Sequence, residues 1–552
     1  MKTASLLRAV LAIVLGLLLA SCAAHAQAQA HAQAPRPKLV VLIVIDGLPQ
    51  RQVAAYRDQL APDGFARFLD HGASFEQAYY GYAFTVTGAG HATVLTGAWP
   101  HRTGIIGNEW TDRASGRATY CTADPQAQYI GHPTHALDGT SPRNLKVETL
   151  GDVLKRLEPG SKVIAVSGKD RGAILPAGHA GTAYMYMGDS GQFASTTYYM
   201  REHPAWVEAF NGARPADRFF HAEWKPLLPE AAYARSLPDD QPWYGPRGGR
   251  LPMAMGAPDA RKPDPAFYAA LLPSPFADAL TLDFARAAIA GEHLGADDAP
   301  DLLAISLSGH DYVNHRWSAE SRLSQDHFLQ LDRMLQSFFA DLDRTVGRDA
   351  WLAVLTADHG FMPAPEWSRA HGLQSGRIDG GQLLAAVNAA LAQRFQAPRL
   401  VSGLSASALV LDRGEIAARG LDFDTVAAAA RDALLAQPGL AAAYTRQELL
   451  AGSRAGAPFF EPMRNTWHPE VSGDVQYVTR PYWMFGKAVA THGSPYEYDT
   501  HVPLLLWGPR WVRPGAYAGR VETADIAPTL ARILRVPAPA ASEGRPLPLA
   551  TP

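Results

Sequence analysis

The sequence has only two cysteines, Cys22 and Cys121, among 552 residues, so a large hydrophobic core rather than a disulfide framework must hold it together. It also lacks an excess of charge: 50 Lys and Arg face 53 Asp and Glu, a net charge of −3 with histidine neutral. Such a chain projects no field for non-specific binding to nucleic acid, and any anionic partner must be gripped by a few placed cations. Beyond Ala20 no apolar run approaches the roughly 18 residues that a membrane helix needs. Against these absences stand 47% hydrophobic and 19% charged residues, a balance that excludes global disorder. At roughly 150 residues per domain, the chain amounts to several domain equivalents or to one large α/β body with insertions.

Lys2 and Arg8 precede an apolar run from Ala9 to Ala20, too short to span a bilayer and of the right length for the core of a secretory signal. Leu19-Ala20-Ser21-Cys22 resembles a bacterial lipoprotein box in which Cys22 carries lipid; the competing reading is processing within the Ala-rich stretch Ala23 to Ala34. Residues 1–22 are thus expected to be an export signal and residues 23–37, rich in Ala, Gln and Pro, a flexible tether. The expected location is periplasmic or secreted, with attachment to the outer membrane if Cys22 is lipidated.

Lys38-Leu-Val-Val-Leu-Ile-Val-Ile-Asp46-Gly47 reads as a buried parallel strand whose carboxyl end opens into a loop. Similar runs end at Ser167-Gly168, Ser308-Gly309 and Asp358-His359. Between them, residues 324–345 space Phe328, Leu331, Met334, Leu335 and Phe338 as on one helix face. The alternation predicts an α/β sandwich around a mostly parallel sheet. Two regions break it. Residues about 190–275 are rich in Pro, Gly and aromatics without strand–helix rhythm, and are either an insertion packed on itself or a cap shaping a substrate mouth. Residues about 365–485 predict a small α+β subdomain, with helices near 382–395 and 424–436 and a strand at 406–411.

In open α/β sheets the ligand site lies beyond the carboxyl ends of the strands, and here those ends are polar. Asp46 follows the first strand, Asp311 and His315 the third run, Asp358 and His359 end the fourth, and His492 precedes the strand-like apolar segment Val502–Trp507. Three carboxylates and three imidazoles form a mixed nitrogen and oxygen set that suits Zn²⁺, enough for two ions with open positions left for substrate. Thr87, in Phe84-Thr-Val-Thr87-Gly-Ala-Gly-His91, sits where a strand would turn into a helix, at free N–H groups and the positive end of the dipole. A metal would activate its hydroxyl. An ordinary helix cap is the competing role for Thr87, and Thr85, Thr93 and Thr96 are competing hydroxyls.

Together with Ile106-Gly-Asn108-Glu-Trp, Gly168-Lys169-Asp-Arg171 and Thr491-His492-Gly-Ser-Pro-Tyr, these motifs resemble, in order, those of the alkaline phosphatase superfamily. The resemblance is to its Thr-nucleophile, phosphate-irrepressible periplasmic phosphatases, with the nucleotide pyrophosphatase/phosphodiesterases as relatives. It implies an alkaline-phosphatase-like three-layer α/β sandwich over residues 38–535, with a C-terminal tail at 536–552. It implies two Zn²⁺ per subunit, one held by Asp46, Asp358 and His359 beside Thr87, the other by Asp311, His315 and His492, and a phospho-threonine intermediate. Asn108, Lys169 and Arg171 would be the phosphate clamp.

Because the diester-cleaving relatives generally lack that Lys/Arg pair, the implied activity is hydrolysis of small phosphate monoesters, releasing inorganic phosphate. A phosphodiesterase with the same metals and Thr87 is the alternative, and a non-catalytic metal- or phosphate-binding protein a second one. Nucleic acid is not an expected partner, the membrane is one only through the N-terminal lipid, and oligomeric state is unreadable. Sulfatase chemistry is disfavoured, because Cys121 lacks the Cys-x-Pro-x-Arg context. His91 and His501 are expected to support or pack rather than ligate.

Overall fold

The computed structural model describes residues 36–113, 115–245 and 248–549. The expected signal, Cys22 and nearly all of the tether lie outside them. From Pro37 onward the chain forms one compact unit.

A nine-stranded sheet organises it, in the order Gly515–Glu522, Ala73–Tyr79, Leu504–Trp507, Trp351–Thr356, Leu39–Ile45, Asp301–Leu307, Val163–Ser167, Thr182–Met187, Gln192–Ala194. The central strand Leu39–Ile45 is buried along its whole length. It pairs in parallel with Asp301–Leu307 on one side and Trp351–Thr356 on the other. Each of its large side chains contributes roughly 1.5–3 kcal/mol by leaving water. That is why the run carries no polar alternation: helices cover both faces of a parallel sheet. Leu504–Trp507 and Gln192–Ala194 run antiparallel to their neighbours, so the sheet is mixed but mostly parallel.

Four adjacent parallel strands end nearly in register. Val44 is opposite both Ser306 and Thr356, and Ser306 is opposite Ser167. The residues that follow these ends, Asp46, the 308–315 segment, Asp358-His359 and Lys169, therefore emerge along one edge of the molecule. The long helix Arg322–Leu342 packs Phe328, Leu331, Leu335 and Phe338 into the main core, as the spacing predicts.

Residues 190–275 contribute short elements, including the edge strand Gln192–Ala194 and helices Ala205–Gly212 and Pro265–Leu271. Their aromatic residues Phe193, Trp224 and Tyr244 belong to the main core cluster, and the Trp224 indole N–H donates to Asp326 Oδ1 at 2.6 Å. The segment is fused to the core rather than packed on itself. Residues 365–485 build a four-stranded sheet, in the order Val401–Ser405, Ala408–Leu411, Val475–Thr479, Leu440–Thr445. Helices Gly380–Phe395 and Phe423–Leu435 pack on it around a separate cluster that includes Val387, Leu409 and Val426. Among the described residues no helix is long and apolar enough to cross a membrane.

Candidate active site

Two ligand-like trios form at the carboxyl edge of the sheet. Asp46, Asp358 and His359 bring one donor atom each to within 4.8 Å of one another, and Asp311, His315 and His492 do the same. His359 Nε2 is 3.5 Å from Asp46 Oδ1 and 3.4 Å from Asp358 Oδ2. His315 Nε2 and His492 Nε2 are 3.4 and 3.5 Å from Asp311 Oδ1. The trios adjoin through the rings of His359 and His492.

Whether these residues suit a metal is tested by their remaining hydrogen bonds. The Nδ1 of His359 faces the Gly360 carbonyl at 2.9 Å, that of His315 the Ala490 carbonyl at 3.0 Å, and that of His492 the Thr85 carbonyl at 2.9 Å. A carbonyl can only accept, so each Nδ1 carries the proton and each Nε2 keeps its lone pair for a ligand. Burial pushes the imidazoles of His359 and His492 below their ordinary range, for His492 with the help of its imidazole neighbour. Asp46 Oδ1, Asp311 Oδ1, Asp358 Oδ2 and His359 Nε2 are buried without a hydrogen-bond partner. Orphaned buried polar atoms are costly. Here they converge in the two trios, and the donor set fits a pair of divalent cations.

Lys169 lies between the trios, its Nζ 2.6 Å from Asp46 Oδ2 and 2.5 Å from Asp311 Oδ2, and 4.9 Å from the centre of the Tyr312 ring. Burial opposes its charge, but Asp311 and Asp46 outweigh it and hold the amine protonated. The carboxyls respond unequally. Burial, with Asp358 nearby, pushes Asp46 well above the usual carboxylate range. At Asp311 burial is overcome by Lys169 and by His315, His492 and His359, which hold it low. At Asp358 burial is overcome by His359 and His91.

Thr87 is the first residue of the helix Thr87–Thr96 and is buried, with Val86 in extended conformation before it. The two glycines of this turn permit close approach. A Cβ on Gly90 would lie 2.2 Å from the Asp358 carbonyl oxygen, and one on Gly88 would lie 3.2 Å from Asn108 Oδ1. The helix therefore packs directly on the first trio. Asn108 Oδ1 accepts from the Gly88 N–H at 2.7 Å, which leaves its amide N–H groups as donors. Lys169 immediately precedes the helix Asp170–Ala177 and Arg171 lies in its first turn. Arg171 Nη1 donates to the Tyr120 hydroxyl at 2.9 Å while its buried Nε has no partner.

Sequence reasoning missed Tyr120, Tyr312 and Ser306, which carry no motif of their own. His91 does not complete a trio. Its Nδ1 is 2.9 Å from the Thr87 carbonyl and 3.3 Å from Asp358 Oδ2, and its Nε2 is 2.8 Å from Ser306 Oγ. His501 belongs to neither trio and stacks on Tyr79. Cys121 is buried and free, its thiol pushed up to about 12 by burial.

A protein-family model described as type I phosphodiesterase / nucleotide pyrophosphatase matches residues 40–489. The chain belongs to that family. Within the alkaline phosphatase superfamily, it is 33% identical to the alkaline phosphatase PafA of Elizabethkingia meningoseptica, over 93% of this chain and 94% of the relative. It is also 33% identical to the alkaline phosphatase PhoV of Synechococcus elongatus, over 92% of each. The crystal structure of wild-type PafA superposes with a TM-score of 0.86 at 32% identity, covering 93% of this chain and 98% of that one. A PafA variant with a threonine, an asparagine, a lysine and an arginine replaced superposes with a TM-score of 0.85 at 31% identity, covering 93% and 98%. The family member described here is thus a phosphatase of the alkaline phosphatase superfamily with its three-layer fold.

Proposed function

We propose that the protein is an exported phosphomonoesterase that works through a phospho-threonine on Thr87. The observation that carries this reading is the convergence of two metal-suited trios, a buried hydroxyl at a helix N-terminus and three oxyanion donors, Asn108, Lys169 and Arg171, on one edge of the sheet. The replaced residues of the PafA variant, a threonine, an asparagine, a lysine and an arginine, support it, since Thr87, Asn108, Lys169 and Arg171 follow in the same order here.

Asp46, Asp358 and His359 would hold one Zn²⁺ and Asp311, His315 and His492 a second. Bound there, the ions would supply Lewis acidity and positive charge for the phosphoryl group. The chain does the rest. The helix N-terminus favours a charged oxygen on Thr87, and Asn108, Lys169 and Arg171 orient the non-bridging oxygens. In the first half-reaction the Thr87 Oγ–phosphorus bond forms as the ester phosphorus–oxygen bond breaks; the threonine proton passes to solvent and the departing alkoxide is protonated. In the second, a water oxygen attacks phosphorus from the vacated side, the Oγ–phosphorus bond breaks, and threonine recovers a proton as phosphate leaves. The net reaction consumes one water per ester.

The partners are small phosphate esters, and the location outside the cytoplasm follows from the N-terminal signal, with Cys22 as the site of a lipid anchor. A phosphodiesterase reading is favoured by the description of the matching family. Turnover of an aryl phosphate monoester beside a bis-aryl diester separates the two. The monoester is expected to be the better substrate, and K169A/R171A to damage its turnover far more than that of the diester. A diester preference unaffected by this double variant would overturn the monoester reading.

A further inference from the structure

A cavity of about 350 Å³ lies between the catalytic edge and the four-stranded subdomain. Phe84 and His492 line it from the core side; Leu404, Ala406, Trp483 and Met484 line it from residues 365–485. It is continuous with the site. The imidazole of His492 forms part of its wall and also belongs to the trio around Asp311. Phe84 and Ala406 meet above Gly107, the neighbour of Asn108: a Cβ on Gly107 would lie 3.2 Å from Ala406 Cβ and 3.3 Å from Phe84 Cε1.

The wall at Ala406 is held in a costly conformation. Ala406 and Ser407 have φ of 43° and 57°, the left-handed region usually left to glycine. The tight turn is pinned at both ends, by Thr111 N–H donating to Ser405 Oγ at 2.8 Å and Tyr477 N–H donating to the Ser407 carbonyl at 2.9 Å. The turn thus presents the Ala406 methyl group to the cavity, flanked by the uncharged Ser405 and Ser407. No Lys or Arg is among the described residues lining the cavity, so nothing there would neutralise a second phosphate. Its one carboxylate, Asp499, is buried and accepts from the Ser494 N–H and hydroxyl.

The direction of displacement agrees with this placement. The Thr87 helix packs against Asp358, on the side of the first trio. In-line attack sends the leaving oxygen away from the attacking one, toward the trio that includes His492. We propose that this cavity is the subsite for the departing alcohol, selecting phosphate monoesters whose alcohol is uncharged and apolar, an aryl or medium-chain alkyl group. The inference rests on the phosphomonoesterase reading above.

Straight-chain alkyl phosphates test it, because methanol, butanol and hexanol have similar acidity and the series varies apolar length rather than chemistry. For the full-length protein with zinc, kcat/KM is expected to rise at least about tenfold from methyl to hexyl phosphate, given the gain from each buried methylene. L404Q is expected to cut the hexyl-to-methyl ratio at least about fivefold, with thermal melting confirming that the variant is folded; W483A supplies an independent perturbation of the same wall. A flat series with methyl phosphate readily hydrolysed overturns the subsite and leaves the phosphomonoesterase reading intact. A folded L404Q and a folded W483A that both retain the full ratio also overturn the subsite. Cleavage of bis-aryl diester with no alkyl phosphate hydrolysed overturns the reading on which the inference rests.

Discussion

The imidazole rings of His359 and His492 stack with centroids 3.4 Å apart and planes 12° from parallel. Each belongs to a different trio, so the two candidate metal sites share a wall. Around this contact lie carboxylate oxygens with no hydrogen-bond partner, and their mutual repulsion is relieved when cations bind.

Chelation is therefore expected to do two things at once. Dialysis against a divalent-metal chelator at neutral pH should abolish phosphate release and lower the melting temperature, because binding to the folded state alone stabilises it. Added Zn²⁺ should restore both, and elemental analysis should find two ions per chain. Full activity after exhaustive chelation would remove the metals from the reading.

Thr87 is the first helical residue at the trio edge. T87A should lower monoester turnover at least about 1,000-fold, while T87S, which keeps a hydroxyl, should retain measurable turnover. Trapping of acid-stable phosphoprotein in the wild type, lost in T87A, checks the covalent step directly.

His91 belongs to neither trio, but its Nδ1 lies 3.3 Å from Asp358 Oδ2 and 2.9 Å from the Thr87 carbonyl. H91Q should weaken metal binding or activity about 10- to 100-fold, as loss of a group that supports a ligand and its helix from outside the trio does. Titration with Zn²⁺ should recover part of the activity. Loss that no zinc concentration reverses would point instead to collapse of the helix packing.

Close packing of that helix makes Gly90 irreplaceable by size alone. In G90A the new methyl carbon would meet the Asp358 carbonyl oxygen at 2.2 Å, so the helix must shift and drag Thr87 with it. Turnover should fall at least about 100-fold, as misplacement by an ångström costs, with far-ultraviolet circular dichroism unchanged.

Asp499 is buried, and burial pushes its carboxyl up to about 8 from 3.8. A carboxyl raised in the folded state favours folding while protonated, and that contribution is lost as pH climbs from about 4 through 8. D499N removes this titration. Relative to the wild type, the variant should gain stability on the order of a few kcal/mol between pH 5 and 9, with the gap widening until about pH 8. Parallel stability profiles for the two proteins in chemical denaturation would contradict the assignment.

Much of this was legible in the chain itself. Leu39–Ile45 reads as a central strand because a strand covered on both faces has no polar side, and Asp46 and Asp358 stand out because they interrupt such runs. The Ala-rich helix Phe423–Leu435 and the long helix Arg322–Leu342 follow from their apolar spacing. Residues 190–275 were opaque because 3₁₀ turns and loops have no period, and only contacts reveal Trp224 as core. The expected strand at 406–411 begins at Ala408, since Ala406 and Ser407 form the two-residue left-handed turn of the hairpin that pairs Ser405 with Ala408. Lys169 reads as an oxyanion donor, but its grip on Asp46 and Asp311 depends on three strand ends that meet only after folding.

Residue order alone determined the donor chemistry: which strand ends carry carboxylates and imidazoles, and that a threonine opens a glycine-rich helix, because these follow from local patterning of apolar and polar residues. Tertiary structure decided which donors share an ion and what lies beside them. The sheet places Leu39–Ile45 between Asp301–Leu307 and Trp351–Thr356, and the subdomain from residues 365–485 brings Ala406 against Gly107. Those neighbours are chosen by long-range packing, which minimises exposed apolar area over the whole molecule and leaves no mark in any single stretch of chain.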